Sequence, residues 1–152
     1  MFLIWIVASL GAGLAGLLSI SLLMKWIRSA ALRRINAAVP NPESIVLLDT
    51  GANFYGLQSL GAAQLRGNGG LVLTSDQLLF LMLIPQRDFR IPISAVTGTG
   101  LVTSHCGKTS FRTLLQVSWH SETTTGVQPE TGAWLVQDPK QWQREIEKLR
   151  HA

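Results

Sequence analysis

The chain has 152 residues and a formal net charge of +4, from 13 Lys and Arg against 9 Asp and Glu. The excess positive charge lies between residues 25 and 34, because every acidic residue and all the other basic residues lie from residue 43 onward. The larger part of the chain is therefore formally neutral, which argues against sequence-independent binding to nucleic acid.

Residues 1–24 form an uncharged apolar segment without Asp, Glu, Lys, Arg or His. A helix of this length would measure about 36 Å, at about 1.5 Å per residue, and the hydrocarbon core of a bilayer is about 30 Å thick. The segment therefore predicts one transmembrane helix. A cleaved signal peptide is the main alternative, but that pattern requires basic residues before a shorter apolar run.

Three glycines lie within this apolar segment, at Gly11, Gly13 and Gly16. Their spacing matches a dinucleotide-binding fingerprint, which also requires an acidic residue about 20 positions later, and this chain has none there. Small residues in a membrane span permit close packing of helices. We therefore expect these glycines to form a helix-packing face, through which the protein could self-associate.

Residues 25–42 are the predicted link between the span and the domain. Basic residues flank the apolar segment on one side only, which predicts a single-pass protein of the cell membrane with its N-terminus outside and its domain in the cytoplasm. The link should be helical until Pro40 ends the helix. Its cations and its indole are expected at the membrane surface, near anionic lipid headgroups. These residues are Lys25, Trp26, Arg28, Arg33 and Arg34.

The remainder of the chain, residues 43–152, is predicted to form one β-rich domain. An Asn-Gly pair at 68–69 is the clearest hairpin turn, because both residues tolerate positive φ angles. Residues 78–84 form an unbroken apolar strand, and residues 88–93 alternate polar and apolar side chains, which is typical of a half-buried strand. Pro92 places that strand at an edge of the sheet or at its own end.

A helix is predicted at the C-terminus of the domain. Asp138 is a favourable N-cap residue, and Pro139 is suited to the first helical position. Three apolar residues then recur at helical spacing, which indicates one buried face. They are Trp142, Ile146 and Leu149.

Several short strands followed by one amphipathic helix resemble the layout of pleckstrin-homology-like domains. Short motifs carry a closer resemblance to GRAM and related bacterial PH-like domains. These motifs are the Gly-rich turn and strand at 66–74, Leu78-Leu79-Phe80, Arg90-Ile91-Pro92-Ile93, Ala133-Trp134 and Asp138-Pro139. The resemblance implies a mainly β fold, a bent sheet or barrel capped by the C-terminal helix, here preceded by the transmembrane helix. It also implies a domain that binds lipids, headgroups or protein segments and does not catalyse reactions.

No group of residues in the sequence indicates catalysis, a metal or a cofactor. His105 and Cys106 are adjacent, but a metal site needs three or four ligands with suitable spacing. The aspartates lie beside turn or cap residues, and Asp49 precedes a Thr-Gly pair. A small membrane enzyme is therefore the least favoured of the functions considered.

Four basic residues of the domain are candidate ligand-binding residues, namely Arg87, Arg90, Lys108 and Arg112. Together they could hold an anionic lipid headgroup or an acidic peptide. We therefore interpret the chain as a membrane-anchored, non-catalytic interaction module that binds a lipid headgroup or a membrane protein partner. The alternative is a scaffold of a membrane complex that acts only through protein contacts, for instance at an exposed strand edge.

Overall fold

A computed structural model describes the backbone of residues 2–64, 66–124 and 126–152, and the side chains of residues 19–64, 66–124 and 126–152. In the described residues, two α-helices and seven strands are joined by turns and by three short 3-10 helices. The helices are α1 (Phe2–Ala38) and α2 (Pro139–Arg150). The strands are β1 (Ile45–Leu57), β2 (Gly67–Thr74), β3 (Gln77–Met82), β4 (Arg87–Pro92), β5 (Val96–His105), β6 (Lys108–Thr123) and β7 (Gly126–Leu135).

The seven strands form one antiparallel sheet in the order β4-β3-β2-β1-β7-β6-β5. Strand β1 joins its two halves, because residues 45–54 pair with β2 and residues 53–57 pair with β7. The register shifts between Phe54 and Gly56, and Gly56 has a φ of +128°. Irregularities of this kind bend a strand and increase its twist. We infer that β1 bends where it changes partner.

One face of the sheet, the inner face, carries the main apolar core. Its centre is an aromatic cluster in which Phe54 lies 5.0 Å from Phe89 and 5.4 Å from Trp134, measured between ring centroids. Helix α2 contributes Trp142 and Ile146 to the same core. The predicted C-terminal helix is confirmed, since the Asp138 side chain accepts a hydrogen bond from the Gln141 backbone N–H at 3.0 Å.

The opposite face of the sheet, the outer face, is partly covered by the last turns of α1. Ile35 and Val39 are buried against Val72, Leu79 and Leu81. The predicted helix end before Pro40 is confirmed, because α1 ends at Ala38. Helix α1 is continuous across residues 24 and 25, where the span was predicted to give way to the link.

The predicted transmembrane helix is wrong on this structure. Among the residues whose side chains the structure describes, no helix combines the length and the apolar character that a membrane span requires. Residues 1–18 of the predicted span lie outside the residues whose side chains are described, and from residue 19 onward α1 carries four charged residues, namely Lys25, Arg28, Arg33 and Arg34. The predicted fold class is corrected to a seven-stranded antiparallel sheet with a C-terminal helix and an N-terminal helix that packs on the sheet. The predicted localisation as a single-pass membrane protein is wrong for the same reason.

The hairpin turn predicted at residues 68–69 is also wrong, because these residues lie inside β2. A Cβ atom built on Gly69 would stand 2.3 Å from the carbonyl oxygen of Leu81. Glycine is required here for close approach of β3 and not for a turn. By contrast, the position predicted for Pro92 is confirmed, since it ends β4, an edge strand of the sheet.

Candidate functional site

Arg87 and Arg90, two of the four predicted ligand-binding residues, point to opposite faces of the sheet. Arg87 pairs with Met82 and Arg90 pairs with Leu79 in the β3–β4 register. Met82 belongs to the inner core, whereas Leu79 lies in the layer beneath α1. Directly opposed residues of antiparallel strands project to the same face. The two side chains therefore leave β4 on opposite faces, although both residues border one cleft of about 300 Å³ along this strand.

Lys108 is held by backbone carbonyl groups. Its Nζ donates to the carbonyl oxygens of Tyr55 at 3.1 Å and Gln64 at 2.5 Å. Beside it, the Arg66 guanidinium lies 4.1 Å from the centroid of the Tyr55 ring and donates to the Thr109 carbonyl oxygen at 3.3 Å. These cations fasten the β5–β6 hairpin to the segment that follows β1, so Lys108 has a structural role in this fold.

His105 is buried beside this hairpin turn, and its ring has two contacts. Its Nε2 lies 3.1 Å from the Gly56 carbonyl oxygen, and its Nδ1 lies 3.3 Å from the amide nitrogen of Gln116. Burial lowers the pKa of His105, and the charge of Lys108 lowers it further. Burial also raises the pKa of the neighbouring Cys106 thiol. Within the described residues, no group of three or more His, Cys, Asp or Glu side chains is placed to hold a metal.

Arg112, the fourth predicted residue, lines a cleft together with Arg28 of α1. The cleft has a volume of about 380 Å³. Its other lining residues are Met24 of α1, residues 48–51 of β1 and residues 135–137 at the end of β7. The structure thus pairs a residue predicted to bind a ligand with one predicted to lie at a membrane surface.

The electrostatics of the cleft depend on two arginines and one carboxylate. Arg28 and Arg112 are exposed, and neither guanidinium has an ion pair or hydrogen bond to any described residue. Asp49 is only 7% exposed. Its Oδ1 accepts from the Gly51 N–H at 2.8 Å and its Oδ2 from the Gln137 N–H at 2.9 Å. The cleft therefore has a net positive charge with a fixed negative group in its wall.

The remaining residues predicted at a membrane surface are distributed around α1. Arg34 pairs with Asp88 of β4 and also donates to the Met82 carbonyl oxygen. Lys25 and Arg33 are exposed. Trp26 is 54% exposed and lines a smaller, apolar cleft of about 180 Å³. The glycines predicted to pack helices, Gly11, Gly13 and Gly16, lie outside the residues whose side chains are described.

Asp49 and the partnership of Arg28 with Arg112 were missed by the sequence analysis. One signal was available for Arg28, which lies three and seven residues before Ala31 and Ile35, the residues that α1 buries. Residues at these spacings share one face of a helix. No local signal relates Arg112 or Asp49 to that face, because they reach the cleft through the strand order.

No protein-family model matches this chain, and no curated protein matches it either. The resemblance to GRAM and other PH-like domains therefore stays a prediction based on short motifs. The structure agrees with the coarser part of that prediction, a β-rich fold with a C-terminal helix.

Proposed function

We propose that this protein is a non-catalytic binding module whose ligand presents a phosphate group to Arg28 and Arg112. The observation that supports this proposal is the 380 Å³ cleft, to which α1 and β6 each contribute an exposed guanidinium without a described partner. Clefts of about 300–1,000 Å³ are typical of small-molecule sites. The cleft is therefore large enough for a headgroup or a small phosphate ester.

Phosphate is the anion best suited to this pair of side chains. A guanidinium stays protonated at any physiological pH and offers planar, bidentate hydrogen bonding to phosphate oxygens. Thr50 and Gln137 also line the cleft and add neutral polar groups. Because both arginines are exposed, water and salt screen them, and we expect modest affinity that falls as ionic strength rises.

The phosphate could belong to a lipid headgroup or to a soluble phosphate ester, and two arms of one experiment separate these sources. The first arm titrates the full chain with glycerol phosphate and follows binding by calorimetry. The second measures co-sedimentation with vesicles of an uncharged, phosphate-free glycolipid, with and without phosphatidylglycerol. Binding in the second arm alone would identify a lipid headgroup as the source.

The arginines are tested by the double variant Arg28→Gln and Arg112→Gln. A matched control is Arg33→Gln with Arg144→Gln, since both residues are exposed and have no partner among the described residues. We expect the first variant to bind about tenfold more weakly, or about 1.4 kcal/mol, and the control to bind like the wild type. Equal binding by both variants would refute a role for the cleft.

A scaffold that docks protein partners is the second candidate, and the free edge of β4 is the observation that favours it. The Ile93 N–H donates to the Asp76 carbonyl oxygen at 2.8 Å. Since ladder hydrogen bonds alternate, the backbone groups of Asp88 and Arg90 face away from β3. A partner strand could pair there. The edge is short, charged and ends in Pro92, and these features oppose strand addition. We therefore prefer the phosphate-binding proposal.

A further inference from the structure

We infer, on the basis of the proposed function, that the ligand of the Arg28–Arg112 cleft is zwitterionic. It carries a positively charged amine close to its phosphate, and the amine binds the carboxylate of Asp49. The shared ligand chemistry is an amine-bearing phosphate ester, either free or as the headgroup of a lipid.

The first support is the environment of Asp49. Asp49 is one of the residues that line the cleft, although it is only 7% exposed. No basic side chain among the described residues forms an ion pair with it. A buried carboxylate without a cationic partner is costly, and most such groups are paired. A cationic group on the ligand would supply this partner.

The second support is the geometry of the carboxylate. Two backbone N–H groups, from Gly51 and Gln137, fix its two oxygens at 2.8 and 2.9 Å. Each carboxylate oxygen has two lone pairs, so each can accept a further hydrogen bond. The carboxylate is therefore held in place before a ligand arrives, which reduces the entropic cost of binding an amine.

The third support is charge balance. A ligand with only negative charge would place its phosphate near Asp49, and like charges repel. An amine beside the phosphate removes this conflict, because it pairs with Asp49 while the phosphate pairs with Arg28 and Arg112. The carboxylate would therefore discriminate between phosphate esters with and without an amine. The arginines would supply most of the attraction for the phosphate.

A ligand series on the wild-type full chain is the first test, and it needs no variant of Asp49. The probes are phosphoethanolamine, its N-acetyl derivative, in which the amine is neutral, and ethyl phosphate. We expect phosphoethanolamine to bind about tenfold more tightly than the other two. In the lipid arm, vesicles with phosphatidylethanolamine should bind more tightly than vesicles with phosphatidylglycerol, which has a phosphodiester without an amine.

Asp49→Asn is the second test, with Glu122→Gln as its control, because Glu122 is exposed and lies outside the cleft. We expect Asp49→Asn to lose the preference for the amine and to retain binding of ethyl phosphate, and the control to change neither. If Asp49→Asn does not fold, the ligand series on the wild-type chain tests the inference by itself.

Two negative results are distinguishable. If phosphates bind through Arg28 and Arg112 with no preference for the amine, this inference is wrong and the proposed function stands. If no phosphate binds, both are wrong.

Discussion

Gly70 of β2 lies directly beneath Ile35 of α1. A Cβ atom built on Gly70 would stand 2.5 Å from Cδ1 of Ile35 and 3.6 Å from the Cβ of Ala31. Non-bonded carbon atoms favour separations of about 3.5–4.0 Å. The missing side chain at position 70 is therefore a condition for the close contact between α1 and the sheet.

Gly70→Ala should destabilise the protein by loosening this contact. We expect a loss of about 1–3 kcal/mol in the free energy of unfolding, which is typical of overpacking, measured by chemical denaturation. Gly98→Ala in β5 is the control, because a Cβ atom built there has nothing within 4 Å. Combining Gly70→Ala with Ile35→Val, which removes Cδ1, should cost less than the sum of the two single changes. Additive costs would contradict direct contact.

The contacts of Arg34 make a second prediction about α1. Its guanidinium reaches both the Asp88 carboxylate and the Met82 carbonyl oxygen. Arg34→Ala should cost about 1–2 kcal/mol, because both contacts are lost and Asp88 is partly exposed. Asp88→Ala should cost about half as much, since the Met82 contact survives. Arg33→Ala, on the exposed side of α1, should change stability by less than about 0.5 kcal/mol. Equal effects at positions 33 and 34 would contradict the docking role.

Lys108 should matter for stability and not for ligand binding. Lys108→Met would leave the carbonyl oxygens of Tyr55 and Gln64 without this donor. We expect a loss of about 1–3 kcal/mol in the free energy of unfolding, with unchanged binding of phosphate by the folded variant. Lys140→Met is the control, since Lys140 is exposed at the start of α2. Loss of phosphate binding in the folded Lys108 variant would show that this lysine belongs to the ligand site.

The parts of the fold that were predictable depend on local interactions. The end of α1 before Pro40 and the start of α2 at Asp138 follow from the chemistry of single residues. The edge position of Pro92 follows from its missing N–H. The turn at residues 68–69 was not predictable in this way, because the same glycines are also favoured where a neighbouring strand approaches closely.

The candidate site was largely not predictable, because its residues meet through tertiary structure. Arg28 and Arg112 are far apart in sequence, and only the packing of α1 beside β1 and the order of β1, β7 and β6 bring them together. Lys108 was assigned to a ligand on its charge alone. In the structure its Nζ donates to two carbonyl groups, which no side-chain pattern reveals. The absence of charge before Lys25 predicted a span by composition alone, and the structure does not support it.

His105 makes the stability of this fold depend on pH. A neutral ring with its proton on Nε2 satisfies both contacts, because Nε2–H donates to the Gly56 carbonyl oxygen and Nδ1 accepts from the Gln116 amide. Protonation would place an N–H against that amide. Burial, followed by the charge of Lys108, lowers the pKa of His105 in spite of the opposing effects of the Gly56 hydrogen bond and Glu130.

The direction of the pH effect follows from this lowered pKa. In the unfolded chain, His105 binds a proton near its ordinary pKa of about 6.5. The folded state binds it only at lower pH, so between these two values the unfolded state holds more protons. The contribution of His105 to stability is therefore complete above about pH 6.5 and is lost as the pH falls through the folded-state pKa. We therefore expect the free energy of unfolding, measured by chemical denaturation at several pH values across this range, to fall less for His105→Gln than for the wild type. His120→Gln, at an exposed position, should keep the wild-type dependence, and an unchanged slope in the His105 variant would show that His105 is not the group responsible.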